Sequence, residues 1–196
     1  NSPVFKDGFR PKGGAGEAAA WLPLIAYMTG MRLEEIGQLT QDDIRRQDDI
    51  WYFNLDHAPH KGQLLKNQSS RRQIPIHSRL IELGFLKLVD ASTGRLFPEL
   101  SSAGSRQLTA SWSQWFGRYL RQVIGIADPR KTFHSFRHTF KDLCREAGIS
   151  KDLHDRLTGH TSQDVGDGYG SGTYPLRPLA LAIDQIQIQL NINFTL

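Results

Sequence analysis

The chain has 196 residues, a length that suits one domain with a substantial core, and its 39% hydrophobic and 22% charged residues are ordinary globular composition. A single cysteine, Cys144, excludes an internal disulfide framework and a cysteine-based zinc site, and no apolar run is long enough to span a bilayer. The net charge is +4, but the cations are unevenly spread: between Ala58 and Leu80 stand Lys61, Lys66, Arg71, Arg72 and Arg79 with no acid, while acids gather at Glu34 to Asp49. Such segregation fits a polyanion partner, most often nucleic acid, although charge alone slightly favours plain solvated surface. The lone cysteine and the lack of a leader fit a reducing, cytoplasmic setting. The chain does not begin with methionine, so a preceding segment is expected.

Residues 1–16, polar with Pro and Gly, read as a linker. Helical patterning begins near Glu17. "WLPLIAYMTG" is apolar almost all round and therefore buried, with Pro23 placed best in a first turn and Gly30 as the stop. "RLEEIGQL" reads as a short helix. "DDIWYFNL", "GQLLK" and "RRQIPIH" read as three strands of a small antiparallel sheet, the last two separated by "NQSS". Helices are expected over about 78–89, 109–123, 131–147 and 150–158, with Ser150 an N-cap for the last. "LRPLALAIDQI" reads as a further helix. In the tail, Ile186, Ile188, Leu190, Ile192 and Phe194 alternate with polar residues, the period of a strand that needs an edge to pair with. The expected fold is α+β, mostly α, with a small three-stranded antiparallel sheet. Its boundaries are a linker (1–16), a main domain (17–184) and a tail (185–196).

In "KTFHSFRHTFKDLCREAG" one helical face carries His134, Arg137, His138 and Lys141, and the other Phe133, Phe136, Phe140 and Leu143. Clustered cations are costly unless an anion sits between them, but a solvated basic face is the plainer reading. Arg32 starts the helix after Gly30, and Glu35, one turn on, is placed to hold its guanidinium. That pair is by itself worth little. Lys66 stands at the tip of a predicted hairpin. His160 follows Gly159 at a helix end, where a histidine also serves the helix dipole. In "GHTSQDVGDGYGSGTY", glycines at 166, 168, 170 and 172 flank Tyr169 and precede Tyr174.

Together these residues offer two arginines, a lysine, two histidines and a tyrosine, with no acid pair and no metal-ligand cluster. That set suits phosphoryl transfer without a metal or other cofactor. Two arginines clamp the non-bridging oxygens of a phosphodiester, a lysine or histidine protonates the leaving alkoxide, and nearby cations stabilise a tyrosine phenolate.

"TGMRLEEIGQLTQDDI" resembles the first box of the tyrosine recombinases (phage-type integrases), T-G-x-R-x-x-E-[IL]-x-x-L-x-x-x-D-[IV], at every fixed position. "HSFRHTF" is similar to the family's H-x-L-R-H-[TS]-F, with Phe136 for leucine, and "LTGHTS" to L-L-G-H-[ST]-S, with Thr158 for leucine. "LKNQSSRRQIPIH" resembles the β-hairpin lysine segment. The resemblance covers about Trp21 to Ile183. It implies that Arg32 and Arg137 clamp phosphate, that His134 and His160 act at the scissile phosphate, and that Lys66 protonates the 5′-oxygen, with Lys61 as fallback. It also implies that Glu35 supports Arg32. The nucleophile, nine residues after the last histidine, would be Tyr169 rather than Tyr174. Arg71, Arg72, His138, Lys141 and Lys61 are further candidates for DNA contact.

The function that the resemblance implies is site-specific DNA recombination through a 3′-phosphotyrosyl intermediate by a catalytic domain, acting on double-stranded DNA as a homotetramer. A DNA-clamping N-terminal domain is expected elsewhere in the protein, the tail is expected to dock on a neighbouring protomer, and the setting is bacterial or phage, at the nucleoid. A type IB topoisomerase uses the same chemistry and is the nearest rival. A non-catalytic DNA-binding module would be expected to have lost one of these residues. A nucleotide site at the glycine-rich loop lacks the Gly-Lys-Ser/Thr that phosphate loops carry and follows a helix rather than a strand.

Overall fold

The computed structural model describes residues 2–56, 71–102, 104–160, 174–190 and 192. Residues 2–16 are not a free linker. They form a helical turn, α1 (Pro3–Lys6), and a 3-10 turn at Lys12–Gly14. Val4 is buried, Ser2 Oγ lies 2.7 Å from the Tyr119 hydroxyl, and Trp112 Nε1–H donates to the Gly14 carbonyl at 2.9 Å. Pro and Gly content does not distinguish a tether from a strap whose polar groups find partners.

The central helix, α2 (Ala18–Thr29), is buried at every position but Tyr27, as its all-round apolarity requires. Pro23 falls inside the helix rather than in its first turn, and burial on all sides holds the helix despite the missing donor. Gly30 ends it at φ +65°, and a Cβ there would come within 2.6 Å of Phe140 Cδ1. Both the left-handed backbone and the close approach call for glycine. The short α3 (Leu33–Gly37) follows at once.

The sheet has three antiparallel strands in the order β1 (Ile44–Gln47), β2 (Ile50–Leu55) and β3 (Arg72–Pro75). Gln47 pairs with Ile50 across a tight turn in which Asp48 sits at φ +54°, a conformation aspartate tolerates. Strand β1 carries no sequence signal, because "IRRQ" buries only Ile44 and leaves its other positions on the exposed edge. The strand expected at "GQLLK" lies outside the described residues.

The helix expected over 78–89 is two, α4 (Ser78–Glu82) and α5 (Phe85–Ala91). Gly84, at φ +93°, turns the chain so that Phe85 enters the core between Trp21 and Phe53, with ring centroids 5.6 and 5.5 Å away. Helix α6 (Ala110–Gln122) brings Trp112 against Phe116 and Phe133. Helix α7 (Ser135–Glu146) begins four residues later than its apolar pattern suggested, after a turn in which the Thr132 N–H donates to Ser135 Oγ. Helix α8 (Lys151–Thr158) is capped by Ser150, and α9 (Leu176–Asp184) packs on β3.

The tail is a correction. Residues 186–190 pair with no strand. Ile186 is buried, Ile188, Leu190 and Ile192 pack on the chain's own core, and the Ile186 carbonyl lies 2.9 Å from His77 Nε2. Along these residues the alternation reflects a segment that turns its apolar side chains toward the chain's own core. The described residues are mostly helical with one small antiparallel sheet, and among them no helix is long and apolar enough to cross a membrane.

Candidate active site

Three segments meet at Arg137. The sequence placed it on an exposed basic face with His134, His138 and Lys141. Its side chain instead shares the inner stripe of α7 with Phe140 and Cys144, and the residue is only 3% exposed. Its guanidinium donates through Nη1 to the Gly30 carbonyl at 2.6 Å, and through Nη2 to the Thr158 carbonyl at 2.5 Å. The second carbonyl belongs to the last residue of α8 and the first to the turn that ends α2, so one planar fork ties both helix ends to α7.

His160 completes that junction. Its N–H closes α8 on the Asp155 carbonyl at 2.9 Å, and its Nδ1 lies 2.9 Å from Arg137 Nη2. Neither an arginine nor an ammonium accepts a hydrogen bond, and with Lys141 Nζ facing Nε2 at 3.2 Å the neutral ring, which has one acceptor nitrogen, accepts from only one of the two cations at a time. Beside it a cleft of about 430 Å³ is lined by Lys141, Lys151, His154 and Asp155 among others.

Arg32 occupies the N-cap of α3. The Glu35 carboxylate accepts its backbone N–H at 2.8 Å and its Nη1 at 2.7 Å. The same carboxylate accepts Arg72 Nη1 at 3.2 Å and Nη2 at 2.9 Å. Burial alone would raise the Glu35 carboxyl, but Arg72 and then Arg32 overcome it and hold the group at about 2. Glu35 is therefore a fixed anion, with Arg32 left 27% exposed on its outer side.

The cations repel one another. Burial, with Arg32 and Arg72 nearby, brings Arg137 down to about 10, against the pull of Glu35 and Asp155. His134 is depressed by burial, then by His138, Arg137, Arg32 and Lys141. His160 is depressed by burial, then by Lys141 and Arg137, with Asp155 opposing. An anion at this junction would relieve every one of these repulsions, which is what a phosphate site requires.

Of the residues singled out from sequence, Arg32, Glu35, His134, Arg137, Lys141 and His160 come together. His138 lies exposed beside His134, with ring centroids 5.1 Å apart. Lys61, Lys66 and Tyr169 lie outside the described residues. Arg71 pairs with Asp56 at 2.8 Å on the exposed surface. Arg72, expected to face DNA, is instead buried against Glu35. Asp155 was missed: it accepts Lys151 Nζ at 2.6 Å and biases Arg137, Lys141 and His160 toward their charged forms. Its only sequence signal was an ordinary i,i+4 lysine pair.

The domain is mostly helical and gathers arginines and histidines from three segments, with few carboxylates to match them. Residues 17–169 match the model of the Phage integrase family, and the chain belongs to that family. The matched segment ends on Tyr169. Comparison with curated proteins and with solved structures gave no match. Family membership points to DNA as the partner and to recombination as the process.

Proposed function

We propose that the chain is the catalytic domain of a tyrosine recombinase that cuts and rejoins DNA strands at specific sites. The observation that carries this reading is the convergence of Arg137 with Gly30, Thr158 and His160, two residues from Arg32. In the proposed reaction Arg32 and Arg137 take the two non-bridging oxygens of the scissile phosphodiester. Arg137 suits the task because backbone carbonyls aim it, so little reorganisation is needed as charge builds. His160 donates a ring N–H to the same phosphate, and His134 is the second histidine proposed to act there.

Tyr169 is the proposed nucleophile. Its oxygen bonds to phosphorus as its proton passes to His134, the bond from phosphorus to the 5′-oxygen breaks, and Lys66, or Lys61 in its place, protonates that oxygen. The product is a 3′-phosphotyrosyl ester and a free 5′-hydroxyl, and attack by a second 5′-hydroxyl reverses the step. The proposed working form is a homotetramer on double-stranded DNA in the cytoplasm, with an N-terminal DNA-binding domain of the same protein. A nicked DNA duplex that loses its 5′-fragment on cleavage tests the chemistry. The wild type should accumulate a covalent adduct and Tyr169→Phe none; an adduct with the Phe variant would remove Tyr169 from the mechanism.

A further inference from the structure

Arg72 opens β3, and Arg71 separates it from residues 57–70, which include Lys61 and Lys66. Its side chain and that of Glu35 are each 6% exposed, so it is not a surface phosphate contact. Its guanidinium points two ways. Nη1 and Nη2 grip Glu35, the carboxylate that aims Arg32, while Nε–H donates to the Leu157 carbonyl at 2.9 Å. Leu157 precedes Thr158, whose carbonyl holds Arg137, and the turn into His160 lies against Arg72 itself. A Cβ at Gly159, whose φ is +64°, would come within 3.0 Å of Arg72 Nη1 and 3.2 Å of Cδ. One side chain therefore touches the supports of both arginines and of the histidine.

We propose that Arg72 is a positioning residue that assembles the phosphate clamp, fixing Glu35 behind Arg32 and the end of α8 beneath Arg137 and His160 at once. The proposal rests on the recombinase reading of the site. Only a planar fork with a third donor along its stem reaches both a carboxylate and a carbonyl set apart from it, so lysine is not an equivalent. Arg72 faces Leu55 in the last pair of the β2–β3 ladder. A slip of one residue would turn it to the opposite face. The strand that leaves the hairpin thereby holds the clamp in register, and displacement of β3 would open Arg32 and His160 together.

The test is single-turnover adduct formation on the nicked duplex, at saturating DNA, for the full chain and for Arg72→Lys, Arg72→Met, Glu35→Gln and Arg72→Met/Glu35→Gln. The wild type must form the adduct; if it does not, the functional reading fails before the positioning role is reached. Arg72→Lys keeps the charge and decides the matter. Its rate should fall at least about tenfold, and that of Arg72→Met about a hundredfold, the scale of a misplaced catalytic group, with the DNA dissociation constant within about threefold of wild type. The double variant should be no slower than the slower single one, because the two residues act as a unit. A wild-type rate in Arg72→Lys overturns the proposal. So does a loss confined to DNA affinity, with a shallower salt dependence at unchanged rate, which marks a phosphate contact.

Discussion

The buried and exposed halves of the site are built on opposite plans. Arg137, Arg72 and Glu35 lie inside, and backbone carbonyls and one another are prominent among their partners, with Arg32 and His160 at their outer side. His134, His138, Lys141 and His160 lie at the rim, within reach of solvent and of one another's charge. Glu35, held at about 2, and Arg137, at about 10, keep one charge state near neutral pH, so what the fold specifies for them is direction. For His134, Lys141 and His160 the fold specifies affinity for a proton, which it lowers in each. A clamp that must not move is bonded to peptide groups of three helix ends, and groups that must change charge are left where water and substrate reach them.

Breaking the inner half should cost the most. Arg137→Ala leaves the Gly30 and Thr158 carbonyls without their buried donor and separates the ends of α2 and α8, although it also relieves repulsion from Arg32 and Arg72. A net loss of roughly 2–4 kcal/mol in urea unfolding is expected, together with loss of adduct formation. Gly30→Ala attacks the same junction from the backbone, since its methyl would meet the fully buried Phe140 ring at φ +65°. A loss of about 2–3 kcal/mol is expected there. Gly159→Ala should cost about 1–2 kcal/mol, because the left-handed strain is similar but the obstacle is the Arg72 side chain, which can shift.

The same contrast explains what could be read in advance. Periodicity located α2, α6, α8 and α9, because each has one dominant apolar requirement. It merged α4 with α5, since Gly84 counts as one weak helix residue until its φ is seen. It missed β1, whose four positions bury only Ile44. Spacing within a box brought Arg32 to Glu35 and set His134 near Arg137. Helical geometry put Arg137 on the wet face, because nothing local reveals that two carbonyls 107 and 21 residues away require its donors. Arg72 was read as surface for the same reason: its carboxylate is 37 residues distant and its carbonyl 85. Asp155 looked like any helix acid. Long-range polar satisfaction is the part of the site that a one-dimensional pattern does not carry.

The rim should respond to pH in a direction fixed by its charges. His134 and His160 are held below the ordinary histidine value, so near pH 6 the unfolded chain binds more protons than the folded one. Stability should therefore rise with pH through about 6–7 and be lost as pH falls below it. Glu35 works in a separate window. Its contribution is complete above the ordinary carboxylate range and is lost only as pH falls toward about 2. Urea midpoints at pH 5, 6 and 7 should climb for the wild type and flatten in His134→Gln and His160→Gln. Phosphate brings the opposite charge, so DNA binding should take up protons near pH 6. Calorimetry in two buffers of different ionisation enthalpy reads that uptake, and release of protons would reverse the sign assigned to the rim.

The smallest effect belongs to Lys141. Its nitrogen faces His160 Nε2 across 3.2 Å, and with Arg137 at Nδ1 the ring has a nitrogen donor on each side. Lys141 is itself depressed, by burial first and then by Arg137, so it adds charge beside a ring that already resists protonation. Lys141→Met should raise the His160 titration in nitrogen-15 spectra, settle the proton of the neutral ring on Nε2 because Arg137 then stands as the one donor at the ring, and shrink in effect as salt screens the pair. Adduct formation at neutral pH should fall by no more than about threefold, the scale of a solvent-exposed charge interaction. A shift of the proton to Nδ1 would mean that Arg137 does not hold that nitrogen, and the difference between a fixed interior and a titrating rim would then fail at the residue where the two meet.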